Sequence, residues 1–520
     1  MLFNSLPFIF GFLPLALLLT YGLGRWRQDA AKVVLLLLSL GFYAVWRWQQ
    51  LPLLLFSIGF NFILGSLIRR FEADGRTRAV TASLIFGVVV DLSMLGWFKY
   101  ANFVVDNLDA VFDAGIQLHR IALPLAISFF TFQKLAYLID TARGETRRIS
   151  LLDFSVFAAF FPQLIAGPIV HFKEVVPQLQ TRRFGRLIPR NLLIGLVLFA
   201  IGLFKKTVIA DTLAAYATPL FHTAAQGQPL GLIGGWLAAL SFTFQLYFDF
   251  SGYSDMAIGL GRMFGVKLPL NFHSPLRAPS MIDYWRRWHM TLQRFIVAYI
   301  FQPLSLPLTR LAYGSGLSGW AAFAVGIGVP TVVTFVAVGI WHGAGWTFVL
   351  FGVMHAIYIC INEAWREWQQ RRHRQRRRRG GAVRAPGKGQ IVSCHLITLL
   401  AVILSNVMFK VGHPGDAVSI WSSMAGLDGP GAAQQTSLDW GLVASLVVSA
   451  LIVFLTPNSQ QIMGRFDPAY NWREWRDVAR APLSWTWKPN AAGLAFAGVV
   501  LFFGIIFIMR GPAIFIYFNF

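Results

Sequence analysis

Apolar residues dominate this chain in long blocks that recur from one end to the other, each close to the roughly 20 residues a helix needs to cross about 30 Å of hydrocarbon. Candidate spans lie near 7–24, 31–48, 50–68, 79–98, 121–139, 191–209, 230–248, 319–340, 347–364, 391–410, 440–456 and 492–509. Helices are the expected spanning form, because every lipid-exposed amide must be bonded within its own segment. The pattern therefore predicts an all-α polytopic membrane protein of about 11 to 13 transmembrane helices, and no soluble stretch is long enough for a separate domain. The first block lacks preceding basic residues and a small-residue cleavage site, so it reads as a retained span.

The polar residues between blocks set an orientation. "GRWRQDAAK" and "RRFEADGRTR" are basic, whereas 102–118 holds Asp106, Asp109 and Asp113 without Lys or Arg. By the positive-inside rule the N-terminus is expected outside the cytoplasm and "ARGETRR" inside. The block "LLDFSVFAAFFPQLIAGPIV" interrupts the alternation, since Lys173, Arg182, Arg183, Arg186 and Arg190 follow it. A re-entrant or surface-lying segment is expected there, and a second irregular region between 251 and 310. With both set aside, the C-terminus returns outside and "WREWQQRRHRQRRRR" at 365–379 falls in the cytoplasm, anchoring topology in a disordered loop or docking an acidic or phosphorylated partner.

Composition removes other classes. Of 520 residues 56% are hydrophobic and 13% charged, and the net charge of +22 lies between spans, which points to anionic lipid rather than nucleic acid. The two cysteines, Cys360 and Cys394, suggest neither a disulfide framework nor a metal cage.

Two stretches carry candidate chemistry. "DYWRRWHMTLQR" at 283–294 combines Asp283, Trp285, Arg286, Arg287, Trp288, His289 and Arg294. It suits an interfacial anchor or a site for a phosphate-bearing donor. "GIWHGAGW" at 339–346 sets Trp341 and His342 among glycines between two apolar blocks. An intramembrane histidine is costly enough to suggest function, and an imidazole can take a proton from a hydroxyl. Glycines 339, 343 and 345 would leave room for a thin acyl chain beside it; a packed, hydrogen-bonded histidine is the alternative. No spacing joins two histidines as metal ligands, and neither cysteine has a histidine placed to activate it.

Taken together, "YWRRWHMTLQRF" and, some fifty residues on, "GIWHGAGWTFVLFGVMHAIYI" resemble the membrane-bound O-acyltransferase family, in particular its bacterial branch of alginate O-acetylation and teichoic-acid D-alanylation proteins. "LPLAISFFTFQKLAYLIDTARGE", "FFPQLIAGPIVHFKEVVPQL", "GLFKKTVIAD" and "FQLYFDFSGYSDMAIGLGRMFGVKLPLNF" agree with that branch. The resemblance implies one membrane domain over 1–520 with a catalytic core at 120–365 around a narrow passage, a basic cytoplasmic loop at 366–390 and further spans at 391–520. It implies His342 as general base and His289 on the donor side. It also implies an acyl thioester such as acetyl-CoA as donor substrate, with no permanently bound cofactor or metal. A polysaccharide acceptor or a periplasmic acetyltransferase would be the partner, in the bacterial inner membrane. After "RRWHMTLQRF" the alginate-type proteins run on to Arg-Asp-Tyr and Gly-Gly-Asn-Arg, whereas this chain reads "IVAYIFQPLSLPLTR" and retains Tyr299 and Pro303. A transporter or flippase for a lipid-linked sugar is the rival reading; such proteins often show paired halves, and the sequence has no internal repeat. D-alanyl transfer is the other alternative, although Arg286 in "WRRWH" is more like the acetyl-type proteins.

Overall fold

The computed structural model describes residues 2–113, 115, 120–380, 387–429, 439–510 and 515–516. Every regular element among them is helical. In chain order the main helices are α1 (Pro7–Gly24), α2 (Gln28–Arg47), α3 (Leu51–Ala73), α4 (Thr77–Phe112), α5 (Ile127–Ala142), α6 (Leu151–Ala159), α7 (Phe161–Leu164) and α8 (Phe172–Leu179). They continue as α9 (Pro189–Ala225), α10 (Gly231–Met263), α11 (Met281–Arg287), α12 (Met290–Gly314), α13 (Gly319–His342), α14 (Trp346–Arg378), α15 (Lys388–Lys410), α16 (Pro414–Met424), α17 (Trp440–Leu455) and α18 (Ala491–Ile508). Among the described residues ten continuous helical stretches are long and apolar enough to cross a membrane, with α2 and α3 forming one of them across a short 3-10 turn.

Contacts between turns define two faces. The α1–α2 turn lies against 179–185, where Gln28 Nε2 donates to the carbonyls of Leu179 (2.8 Å) and Thr181 (3.0 Å). On the opposite face Gln50 Oε1 accepts from the Leu125 amide at 2.9 Å, and Trp346 Nε1 donates to Asn107 Oδ1 at 2.9 Å. The basic turns thus share one face and the acid-bearing end of α4 the other, as the charge alternation requires.

Several boundaries differ from the sequence expectation. The acidic stretch after the fourth span is not a loop from 102, because α4 continues to Phe112; 114 and 116–119 lie outside the described residues. The irregular region expected from 251 begins only at Phe264. Ser251 sits deep in α10, and Met290–Gly314 is itself long enough to span. The reason is that the basic residues there find internal partners: Arg277 donates to the carbonyls of Val453 (2.6 Å) and Thr456, and Lys267 pairs with Asp467 at 2.5 Å. The arginine tract is not a disordered loop as far as Arg378, since α14 runs through it; 381–386 lie outside the described residues. Arg371 and Arg372 lie over the rings of Trp320 and Trp368, at 4.8 and 4.7 Å from the centroids, an interfacial anchor geometry. The 151–170 block becomes two short helices and a buried coil around Gly167-Pro168, with Ser150 capping α6 at the Asp153 amide (3.1 Å).

The core is built on α9 and α10, which meet backbone to backbone. A Cβ added at Gly195 would lie 2.5 Å from the Gly259 carbonyl oxygen, and one at Gly202 would lie 2.6 Å from that of Gly252. The reverse approaches, from Gly259 and Gly252, are 2.6 and 2.7 Å. Each helix therefore presents two glycines seven residues apart. Lipid tails are as apolar as leucine, so such helices associate through close packing and polar contacts rather than by leaving water. Beside this seam Lys206 pairs with Asp249 and Asp211, both at 2.6 Å.

Replacing Gly202 or Gly252 by leucine forces the two backbones apart, so each variant is expected to lose at least about 1–3 kcal/mol through overpacking. Gly22, with open space around it, is the control position. Thermal melting of the purified protein in detergent checks this: Gly202→Leu should melt well below wild type and Gly22→Leu close to it.

Candidate active site

His342 ends α13, and Gly343 leaves the helix in extended backbone before α14 starts again at Trp346. The two helices pack through another glycine pair. A Cβ at Gly339 would meet the Phe348 carbonyl oxygen at 2.3 Å, and one at Gly352 the Phe335 carbonyl oxygen at 2.4 Å. A Cβ at Gly343 would strike the Phe348 ring at 2.2 Å. The glycines of "GIWHGAGW" thus bring α13 and α14 together. Gly339 and Gly343 do not leave room for an acyl chain, as the sequence reading expected, because Phe348 and the facing backbone fill that space; a Cβ at Gly345 would make only ordinary contact with the Phe348 ring, at 3.5 Å.

The imidazole of His342 is 3% exposed and sits edge to face with Phe351 and Phe409, at centroid distances of 5.7 and 5.2 Å. It borders a cavity of about 180 Å³ whose floor includes Lys99, Ser128, Trp341 and His342 and whose rim includes the exposed Trp46, Arg47 and Leu123. Those rim residues lie on the face opposite the basic turns.

His289 occupies the break between α11 and α12 in left-handed backbone, with φ of 44°. A non-glycine residue holds that conformation only where its surroundings over-determine it. Asn271 supplies the constraint. Its backbone oxygen accepts from the Met290 amide at 2.9 Å, its Nδ2 donates to Ser254 of α10 at 3.0 Å, and its Oδ1 accepts from the Thr291 hydroxyl at 2.9 Å. Since Oδ1 is an acceptor, His289 Nδ1, 3.0 Å away, donates to it, and in the neutral ring Nε2 carries the lone pair. Trp341 links the histidines: its ring centroid lies 4.8 Å from that of His342 and 6.0 Å from that of His289.

The other candidates from 283–294 do not form one open cationic cluster. Arg287 is buried and paired with Asp283, and Arg294 pairs with Glu174 of α8 at 2.5 Å. Only Arg286 of the three is exposed. Trp285 Nε1 donates to His355 Nδ1 at 3.1 Å and packs the α11–α14 junction, whereas Trp288 stacks on Tyr284 and meets Phe272 and, on α10, Tyr247. The retained Tyr299 donates to Asp140 Oδ1 at 2.6 Å and lies 3.1 Å from His171 Nδ1, tying α12 to α5 and the irregular segment. Among the described residues no three His, Cys, Asp or Glu side chains group as metal ligands would.

Sequence reasoning missed Lys99, Ser128 and Asn271. Lys99 stood just past the end assigned to the fourth span, and only the extension of α4 to Phe112 shows it to be a lysine inside a membrane helix. Asn271 follows the apolar tripeptide Leu268-Pro269-Leu270 at the end of a family-like stretch, where nothing marks it as a positioning residue.

A polytopic helical bundle whose two buried histidines meet across a tryptophan, one of them on an open cavity, has the form of an intramembrane transfer site. The family model for MBOAT, the membrane-bound O-acyltransferase family, matches residues 90–405, and the chain belongs to that family. It is 36% identical over 456 residues to a peptidoglycan O-acetyltransferase of Helicobacter pylori, covering 82% of this chain and 80% of that one. It is 42% identical over 375 residues to a probable alginate O-acetylase AlgI of Pseudomonas aeruginosa, with coverages of 70% and 66%. A teichoic acid D-alanyltransferase of Streptococcus thermophilus is 26% identical over 290 residues, with coverages of 55% and 68%. The protein is therefore a multi-pass membrane O-acyltransferase, and the transporter reading falls.

Asn271→Ala strands the donors that converge on its side chain, each loss costing about 1–3 kcal/mol when buried. The variant is expected to melt several degrees lower and to lose acyl transfer. Asn271→Asp, which keeps the acceptor oxygen, should recover part of the melting temperature. Differential scanning fluorimetry of the detergent-solubilised pair measures both.

Proposed function

We propose that the protein moves an acetyl group from a cytoplasmic thioester, acetyl-CoA in its simplest form, to hydroxyls of an exported polysaccharide or to a periplasmic partner that completes the transfer. The bacterial inner membrane is the setting, with the basic face cytoplasmic and both termini periplasmic. One observation carries this reading: the cavity at His342 has its rim on the face opposite the basic turns. An acceptor arriving from the periplasm meets the imidazole there. Acetyl rather than D-alanyl transfer is supported by the relatives, since those named O-acetylating enzymes are 35–42% identical and those named D-alanyltransferases 24–26%.

In this mechanism His342 takes the proton of the acceptor hydroxyl as its oxygen adds to the thioester carbonyl carbon. The new C–O bond forms, the C–S bond breaks, and the departing thiolate takes the proton from the imidazolium. His289, across Trp341, holds the donor side. Phe129 lines both the cavity at His342 and a smaller one beside Gly167-Pro168, and we assign it as the partition between the two approaches.

Proteoliposomes given labelled acetyl-CoA and a panel of alginate, peptidoglycan and cellulose oligosaccharides test the chemistry. His342→Gln should lower transfer about 10²- to 10⁴-fold, as loss of a general base does, and His289→Ala should also reduce turnover. His355→Ala should chiefly lower the melting temperature, because His355 accepts the Trp285 hydrogen bond. A folded His342→Gln protein with near-normal transfer overturns the mechanism.

Orientation has its own measurement. In a chain without Cys360 and Cys394, a cysteine at Leu427 should react with an impermeant thiol reagent in intact cells, and one at Arg374 only after lysis. Reaction of the Arg374 position from outside inverts the assignment.

A further inference from the structure

Lysines within the helical bundle are expensive unless matched. Lys32 pairs with Asp153 at 2.6 Å, Lys205 with Asp255 at 2.8 Å, and Lys206 with Asp249 and Asp211 at 2.6 Å. Lys134 lies over the Phe130 ring at 5.3 Å with Asp91 as its electrostatic partner, and it lines none of the cavities described. Lys99 differs from all four. It is 8% exposed, and among the described residues no carboxylate comes within ion-pair distance of its Nζ. Its bonds are to the Trp341 carbonyl oxygen and to Ser128 Oγ at 3.3 Å. An ammonium has three donors, and these use two. Lys99, Ser128, Trp341 and His342 all border the same cavity. A buried cation without a protein counter-charge, set on the wall of the site one peptide unit from the catalytic candidate, is placed for negative charge brought or formed there.

We propose that Lys99 is the electrostatic partner of His342, stabilising the negative charge that develops on the acyl oxygen during transfer. The assignment rests on the acyl-transfer reading above. As the acceptor oxygen bonds to the thioester carbon and its proton passes to His342, the carbonyl electron pair moves onto the acyl oxygen. The third N–H of Lys99 donates to that oxygen. When the carbonyl re-forms, the C–S bond breaks and the thiolate takes the proton from His342; Lys99 keeps its own protons throughout. Fixed donors in a site of low dielectric act strongly because they need no reorganisation as the charge appears.

The alternative is that Lys99 only fastens α4 to the carboxyl end of α13, where cations favour the exposed carbonyls. Three variants separate the two in the full chain in proteoliposomes, with acetyl-CoA and the oligosaccharide that wild type labels. Lys99→Gln keeps an N–H donor for the Trp341 carbonyl but carries no charge. Its kcat should fall roughly 10²- to 10³-fold, the loss seen on removing one oxyanion donor, while KM for acetyl-CoA stays within about threefold. Lys99→Cys in a chain without Cys360 and Cys394 should be equally impaired, and aminoethylation of that cysteine, which rebuilds the ammonium, should restore at least about a tenth of wild-type kcat. Lys99→Met should resemble Lys99→Gln in kcat and melt lower, having lost the carbonyl bond as well. Near-normal kcat in Lys99→Gln, a rise in KM with kcat unchanged, or no recovery on aminoethylation each overturns the proposal. Where Lys99→Gln fails to fold, the aminoethylation result decides alone. A wild-type protein that transfers no acetyl group to any acceptor overturns the acyl-transfer reading instead.

Discussion

Backbone contact between α9 and α10 sets the geometry that everything else in this protein uses. Gly195 and Gly202 face Gly259 and Gly252 so closely that no side chain fits between them. In a bilayer that contact replaces the hydrophobic effect as the source of helix association. Its consequence reaches the site in two steps. α10, held against α9, presents Ser254 to Asn271 and Phe250 to His289, and Asn271 in turn fixes the strained backbone and ring of His289. A second glycine pair, Gly339 and Gly352, does the same for α13 and α14 and so places His342. Two seams of small residues therefore hold the two imidazoles on either side of Trp341.

Polar groups at membrane depth obey a strict economy. Arg277 is spent on carbonyls at the C-terminal end of α17, Arg294 on Glu174, and Lys206 on two aspartates. Such pairing makes irregular backbone between α10 and α12 tolerable inside a membrane protein, because the carbonyls freed by the broken helices are met by guanidinium and amide donors. It also explains why the basic residues of 283–294 are poor candidates for a common phosphate site: two of the three are already committed to carboxylates. Of the three, Arg286 alone stays exposed, its charge not consumed by the fold.

Family membership and geometry bear on different questions. Similarity over most of the chain makes the protein an O-acyltransferase, and among the relatives named here peptidoglycan and alginate acetylating enzymes are more similar than D-alanyltransferases. The arrangement of side chains adds how an intramembrane site could work: an imidazole at the floor of a cavity that reaches one face, a second imidazole behind an indole, and a lysine beside the first.

The sequence by itself determined the class, most of the spanning elements and the presence of two histidines among apolar blocks. Hydropathy records the cost of unsatisfied amides in hydrocarbon, charge alternation records loop sidedness, and a histidine between apolar blocks is visible because it is costly there. What it left to the tertiary structure were matters of partnership. Helix ends moved because a residue that looks like a boundary in one dimension can be satisfied across the bundle: α10 runs through Ser251 to Met263, and Lys99 lies inside α4. The glycines beside His342 read as space for a ligand until Phe348 was seen to fill it. Arg287 and Arg294 read as ligand groups until Asp283 and Glu174 were found opposite them, Glu174 being 120 residues away from Arg294 in the chain. Asn271 lay within a stretch that resembles the family, but nothing marked it as a positioning residue, since its role comes from Ser254, His289 and Thr291 converging on one amide. A linear sequence encodes what each residue costs in a membrane, but which neighbour offsets that cost is decided only when the helices pack.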